Sequence, residues 1–105
     1  MGEEKRNVVV CEHMKKLREW LDFYKIPWFD FSDTFGENLY ICRTKIEYRG
    51  HILSAINGYG TYGGFGDYMK ADQNMGLLEF RIDQNEPEGC LKWADIALKI
   101  SQIKD

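Results

Sequence analysis

The strongest structural signal in this sequence is a pair of β-forming runs that flank Arg49-Gly50 between Leu39 and Ile56. β-Branched and aromatic residues dominate both runs, and a glycine supplies the positive φ that a two-residue turn requires. The pattern predicts a hairpin in which Ile46 lies opposite Leu53, with alternate side chains on a buried face. The other face is predicted to be mixed and wetter, and it carries Arg43, Lys45, Glu47, Ile52, Ser54 and Ile56.

An amphipathic helix is predicted before this hairpin, within residues 8 to 24. Apolar residues recur there at steps of three and four, which is the spacing of one helical face. Asn7 is a suitable N-cap, because its side-chain oxygen can accept a hydrogen bond from the first turn. Pro27 disfavours helical geometry at the preceding residue, so the helix should end by Lys25.

Two further strands and a second helix complete the predicted pattern. Trp28 to Phe31 is an aromatic run typical of a short strand, and alternation from Leu77 to Asp83 predicts a half-buried strand. The run from Asn85 to Gly89 is predicted as a loop, and helical spacing returns from Leu91 to Ile103. Together these elements predict an α+β fold, with an antiparallel sheet and helices packed on one face.

Length and composition limit the class of protein further. A chain of 105 residues fits one domain, so residues 1–105 are expected to form a single domain, with residues 1–7 flexible. The net charge of −3 argues against a strongly basic nucleic-acid binder. No apolar run approaches the length of a membrane span or a signal peptide, which predicts a cytoplasmic protein with no membrane partner.

The sequence contains no strong catalytic or metal-binding pattern. Its three cysteines are an odd number at wide spacing, which predicts buried, reduced thiols rather than a disulfide framework. The cysteines and histidines also lack the short spacing of a zinc site. We therefore expect no metal, no cofactor and no enzymatic activity. The residues concerned are Cys11, Cys42, Cys90, His13 and His51.

The segment from Gly58 to Tyr68 is unusual, because it places five glycines and four aromatic residues between two predicted strands. Such a glycine content costs backbone entropy, so the segment must need positive φ or a close approach to another group. Tyrosine and phenylalanine supply the flat contact area common in recognition loops. The predicted partner-binding residues are Arg43 and Arg49 of the hairpin together with Tyr59, Gly60, Thr61, Tyr62, Gly63, Gly64, Phe65, Asp67 and Tyr68.

Residues 58 to 63 read Gly-Tyr-Gly-Thr-Tyr-Gly and resemble the glycine-rich loop of protein kinases, which also joins two strands. In that family the loop covers the phosphates of ATP, so the resemblance implies a phosphate-bearing nucleotide as an alternative ligand. The chain lacks the other kinase motifs, which excludes a kinase. A dinucleotide-binding motif would need a helix directly after the glycines, and Asp67 to Gly76 has no helical apolar stripe.

Several segments together are similar to small proteins of bacterial phages and prophages. These segments are Ile41-Cys42-Arg43-Thr44, Tyr48-Arg49-Gly50-His51, Ile56 to Gly64, Gly76-Leu77-Leu78-Glu79 and Pro87-Glu88-Gly89. The resemblance covers about half of the chain. It implies an accessory protein that binds and inhibits a host or defence protein in the bacterial cytoplasm.

A nucleic-acid partner is the weaker alternative. Arg43, Lys45 and Arg49, with nearby tyrosines, form a small basic and aromatic patch that could neutralise and stack a strand. Three cations are few, and acidic residues outnumber basic ones between Ile26 and Cys90. A protein partner is therefore expected before nucleic acid, and the sequence leaves a homodimer open.

Overall fold

The computed structural model describes residues 8–36, 39–66 and 73–104. Within these ranges the chain forms two helices and six strands, which confirms the predicted α+β fold. In chain order the elements are α1 (Glu12–Phe23), β1 (Trp28–Asp30), β2 (Asp33–Thr34), β3 (Tyr40–Tyr48), β4 (His51–Gly58), β5 (Leu78–Ile82), β6 (Glu88–Leu91) and α2 (Trp93–Ser101). The expected flexibility of residues 1–7 concerns a segment outside the described ranges.

The strands form one antiparallel sheet in the order β1-β3-β4-β5-β6, with β2 also paired to β3. The predicted hairpin is confirmed, because Ile46 is the Cα partner of Leu53 in the β3–β4 register. Its turn contains Arg49 at φ 51° and Gly50 at φ 80°. Positive φ at both central residues matches the twist of the flanking strands, which explains why two residues are enough to reverse the chain.

Both helices pack against the same face of the sheet. Apolar side chains one helical turn apart on α1 and α2 contact alternate residues of the three central strands, as period-2 and period-3.6 patterns require. Burying this apolar surface is the main favourable contribution to folding. The fully buried members are Met14, Leu17, Leu21, Cys42, Ile46, Leu53, Ala55, Leu78, Ile96 and Ile100.

Helix α1 begins at Glu12, so the prediction of helix from residue 8 is wrong by about one turn. Cys11 is the N-cap residue, and it makes no side-chain capping hydrogen bond. The predicted N-cap, Asn7, lies outside the described residues. Val8 and Val10 precede the helix and pack against the core, so their apolar spacing reflects tertiary contact rather than helix.

The end of α1 is set by a Schellman motif. The Ile26 amide donates to the Leu21 carbonyl oxygen at 2.9 Å, and the Lys25 amide donates to the Asp22 carbonyl oxygen at 3.1 Å. Lys25 has φ 58°, the left-handed conformation that this motif requires after a helix. The helix therefore ends before Pro27, as predicted.

Two short strands depart from the predictions. β2 forms in the polar stretch after Phe31, for which the sequence predicts no strand, and β6 includes residues predicted as loop and helix. Leu91 therefore belongs to β6, and the second helix begins at Trp93. β6 pairs irregularly with β5 and contains Cys90 at φ 58°. Its pairing with β5 shifts register between Leu78 and Phe80, so no regular local alternation shows it.

Candidate functional site

The sheet face opposite the helices carries large side chains at its surface. We call it the open face. Its strand residues alternate with those of the core, and Phe31 adjoins them through the hydrogen bond from its amide to the Arg43 carbonyl oxygen at 2.9 Å. The members of the open face are Phe29, Phe31, Arg43, Lys45, Glu47, Ile52, Ser54, Ile56, Glu79 and Arg81.

The strand register aligns four of these residues in one row across the sheet. Phe29 is the Cα partner of Lys45, Lys45 of Ser54, and Ser54 of Arg81. Directly opposed residues have Cβ atoms about 5 Å apart, so Ser54 lies between the bases of two cationic side chains. The sequence predicted the mixed face of the hairpin, but the position of Arg81 in this row depends on the β4–β5 pairing.

A second row runs parallel to the first. Arg43 is the Cα partner of Ile56, and Ile56 is the partner of Glu79. The ring of Phe31 closes one side of the groove, and the Lys45 ammonium nitrogen lies 5.1 Å from its centroid. The groove over the two rows has a volume of about 330 Å³. Charged, aromatic and aliphatic groups are therefore interleaved on this surface.

The segment from Gly58 to Tyr68 is called the glycine-rich loop below, and the structure describes it as far as residue 66. It adjoins the open face through Tyr62. The Tyr62 amide donates to Oε1 of Glu79 at 2.8 Å, and its carbonyl oxygen accepts a hydrogen bond from the Cys90 amide at 3.0 Å. A Cβ on Gly89 would overlap the Tyr62 side chain, so this glycine permits the contact. The Tyr62 side chain is 68% exposed at this border.

The rest of the described loop folds inward. Phe65 is fully buried, with its ring centroid 5.3 Å from that of Tyr40 and 5.8 Å from that of Tyr59. Thr61 is also buried, and its hydroxyl donates to the Gly58 carbonyl oxygen at 2.9 Å. A Cβ on Gly64 would overlap that same carbonyl group. Close backbone packing accounts for this part of the glycine content.

Most loop amides already donate within the chain. The amides with intramolecular acceptors are those of Gly58, Tyr59, Gly60, Thr61, Tyr62, Gly64 and Phe65. A phosphate held as in the kinase-like alternative would have to compete with these hydrogen bonds. Among the predicted loop contacts, burial of Thr61, Gly63, Gly64 and Phe65 leaves Tyr59, Gly60 and Tyr62 with surface that a partner can reach.

The remaining predicted contacts occupy separate places. Arg43 lies on the open face, whereas Arg49 is in the hairpin turn with its guanidinium carbon 5.4 Å from the Tyr48 ring centroid. Arg49 lies six positions after Arg43 along the strand and turn, which corresponds to about 20 Å at 3.3 Å per residue. The structure therefore does not bring them together. Asp67 and Tyr68 lie outside the described residues.

Arg18 supports the open face from the other side of the sheet, and the sequence patterns did not single it out. Its Nε donates to the Thr44 hydroxyl oxygen at 2.7 Å, and its Nη2 lies 3.5 Å from Oδ1 of Asp30. Its guanidinium also lies 4.7 Å from the Trp28 ring centroid. Arg18 thus joins α1 to β1, the strand that carries Phe29.

An amide pair between buried Asn57 and partly buried Asn74 holds the chain that returns from the loop. Nδ2 of Asn57 donates to Oδ1 of Asn74 at 2.9 Å, and Nδ2 of Asn74 donates to Oδ1 of Asn57 at 2.6 Å. Asn57 also donates to the Leu77 carbonyl oxygen at 2.7 Å. These hydrogen bonds satisfy a fully buried polar side chain and fix the entry to β5.

The thiols occupy different environments. Burial raises the pKa of Cys11 and of Cys42, which favours the neutral thiol over the nucleophilic thiolate. Cys90 is exposed and Cys11 is only partly buried, so the expectation of buried thiols is confirmed for Cys42 alone. The three cysteines are free, and within the described ranges no three potential ligands among His, Cys, Asp and Glu form a metal-binding group.

His51 and Asp83 form a polar contact between two turns of the sheet. Nδ1 of His51 and Oδ2 of Asp83 are 2.6 Å apart, and Oδ1 of Asp83 accepts the Ile52 amide at 2.9 Å. These hydrogen bonds lower the pKa of the Asp83 carboxyl, with that from His51 the larger cause. The pair fastens the β3–β4 turn to the end of β5.

No protein-family model, curated protein or solved structure matches the chain. In the part of the chain that the structure describes, no helix combines the length and hydropathy needed to cross a membrane. Inference about function therefore depends on the geometry of the open face and its border with Tyr62.

Proposed function

We propose that this chain is a small non-enzymatic binding protein that contacts a bacterial host or defence protein through its open face, as a phage-type inhibitor or modulator. The observation that carries the proposal is the exposure of Phe31 (50%) and Ile52 (45%) on the face opposite the helices. The solvent side of an antiparallel sheet usually carries polar residues. Large apolar side chains grouped there suit a contact with another molecule.

The residue types of the open face also fit a protein interface. Aromatic residues and arginine are enriched at the centres of such interfaces, where they supply most of the binding energy. Here Phe29 and Phe31 lie on the same face as Arg43 and Arg81. Tyr62 adds an exposed aromatic ring at the border, so the loop contributes one side chain to the proposed contact.

The shape of the groove favours a macromolecule over a small ligand. Sites for small molecules usually enclose most of the ligand surface. The groove between Phe31 and Arg81 instead lies along the surface of the sheet. The amide hydrogen bonds within the glycine-rich loop also give the nucleotide alternative less support than the protein partner.

A photo-crosslinking residue tests the proposal with a matched control. We expect benzoylphenylalanine at Phe31 to crosslink a host protein in bacterial lysate, and excess wild-type protein to suppress the product. The control places the same residue at Phe23 on α1, which is 77% exposed and lies outside the open face. Equal crosslinking from both positions, or crosslinking from Phe23 alone, would contradict the proposal.

Alanine substitutions then measure the contribution of the face. Against the crosslinked protein, Phe31→Ala or Ile52→Ala should weaken binding by about 2 kcal/mol at the better anchor. Their free energies of unfolding should change by less than about 1 kcal/mol, because both side chains are half exposed. Unchanged affinity in both variants would rule out the open face as the contact.

A further inference from the structure

The strand register of the open face places one hydroxyl group between two cationic residues. In the first row Ser54 has Lys45 as its Cα partner on one strand and Arg81 on the other. All three side chains, together with Arg43, line the same groove. A hydroxyl between cationic groups can donate to an anion that both cations attract.

Two carboxylates lie on the same face but outside this row, those of Glu47 and Glu79. Oε1 of Glu79 accepts the Tyr62 amide at 2.8 Å, so this acid is held at the border with the loop. The Arg81 guanidinium donates to the carbonyl oxygens of Asn85 and Gln84, which carry no net charge. The row itself contains two cations and no carboxylate, so its positive charge can attract an external anion.

Apolar residues beside the cations indicate what kind of anion fits. Ile52 and Ile56 lie on β4 on either side of Ser54, at the spacing of alternate residues. Beside Ser54 these aliphatic side chains offer no ring on which a nucleic-acid base could stack, and they favour contact with apolar side chains of a protein. An amphipathic protein segment complements both properties of the surface, since it supplies carboxylates and apolar side chains together.

We infer that the open face binds an extended segment of the protein partner whose residues facing the sheet, two apart along the segment, are apolar, acidic and apolar. One carboxylate lies over Ser54, between Lys45 and Arg81, and neighbouring apolar side chains contact Ile52 and Ile56. This inference rests on the proposed function and specifies the chemistry of the partner. In an extended segment every second side chain points to the same side, so a series of apolar, acidic and apolar residues two apart can contact Ile52, Ser54 and Ile56 together.

Three defined probes test the inference by nuclear magnetic resonance of the ¹⁵N-labelled full chain. The probes are a decapeptide in which Ser alternates with the series Val, Glu, Val, Glu, Val, its counterpart with Lys in place of Glu, and a thymidine decanucleotide. We expect the acidic peptide to shift the backbone amide signals of Lys45, Ser54 and Arg81. Equal or stronger binding of the basic peptide, or tighter binding of the decanucleotide, would overturn the inference.

Charge substitutions locate the interaction. Lys45→Glu should weaken binding of the acidic peptide about tenfold or more, because it opposes like charges at the contact. Lys16→Glu changes the net charge equally on the exposed side of α1, and it should change the affinity by less than about twofold. Equal losses in the two variants would indicate non-specific attraction and overturn the inference.

Ser54→Asp provides a second variant on a partly exposed position. It supplies an internal carboxylate between the two cations and should abolish the peptide-induced shifts while the rest of the spectrum stays folded. Retained binding would contradict the assignment. If the acidic peptide fails but Phe31 still crosslinks a host protein, the proposed function stands and only this inference falls. If crosslinking also fails, both are wrong.

Discussion

The two faces of the sheet are built from alternate residues of the same strands, yet they meet different surroundings. On the covered face Ile46 and Leu53 are Cα partners, and both are fully buried under the helices. On the open face the adjacent pair is Glu47 and Ile52, and Ile52 is 45% exposed. The free energy of folding therefore comes mainly from burial on the covered face. Side chains on the other can contact a partner with little effect on folding.

The glycine-rich loop also has a buried part and an exposed part. A substitution in its buried part should cause the largest loss of stability. Phe65→Ala should lower the free energy of unfolding by about 3–5 kcal/mol, because it removes a fully buried ring. Tyr62→Ala removes an exposed ring and should change it by less than about 0.5 kcal/mol. Urea unfolding measures both. Similar losses would mean that the loop lacks the inward and outward halves described above.

Neighbouring residues on β4 test the division within one strand. Leu53→Ala should cost about 3 kcal/mol, since it leaves a cavity under the helices. Ile52→Ala should cost less than about 1 kcal/mol, because almost half of that side chain is already in water. Chemical denaturation of the two variants under the same conditions gives the comparison. A larger loss for Ile52 would show that the open face is covered in solution.

Arg18 lies on the covered face and joins α1 to β1, the strand that carries Phe29, so its removal should produce an intermediate effect. Arg18→Met keeps the apolar stem but loses the hydrogen bond to Thr44 and the ion pair with Asp30, at a cost of about 2 kcal/mol. Amide signals of β1 should shift in the same variant. Lys16→Met on the exposed side of α1 is the control and should leave both stability and β1 unchanged. No shift in β1 would contradict the proposed link.

The smallest expected effect concerns Asp83 and its dependence on pH. The hydrogen bond from His51 lowers the pKa of this carboxyl in the folded state. Its contribution to stability should therefore be present above about pH 4 and decrease as pH falls through the folded value. The stability difference between wild type and Asp83→Asn should narrow over that range in acid unfolding measurements. His51→Gln should reduce the pH dependence, and an unchanged profile would exclude this contact as its source.

The elements predicted correctly are those in which a local pattern and a buried face coincide. The alternation around Arg49-Gly50 gave the correct register because one face of β3 and β4 is core. Both helices were predicted for the same reason, although α1 begins at Glu12 rather than residue 8. β6 was missed because its pairing with β5 is irregular. Nothing in its local alternation shows that pairing.

The candidate site could be predicted only in part. Arg43 and Lys45 were placed on the mixed face of the hairpin, which is the open face of the sheet. Arg81 lies beside Ser54 because of the β4–β5 register, and no local sequence pattern specifies that register. The composition of the glycine-rich loop predicted recognition, but composition does not distinguish a buried Phe65 from an exposed Tyr62. That distinction depends on packing against Tyr40 and Glu79.

The Schellman motif at the end of α1 contains a position at which a single substitution should stabilise the protein. Lys25 adopts φ 58° at a position where glycine is the usual residue. Lys25→Gly would relieve the left-handed strain and raise stability by up to about 1 kcal/mol. The position is exposed and lies on the helix side of the molecule. Such a background would let the open face accumulate more mutations before the protein unfolds, which is the condition under which a binding surface can adapt to a changing partner.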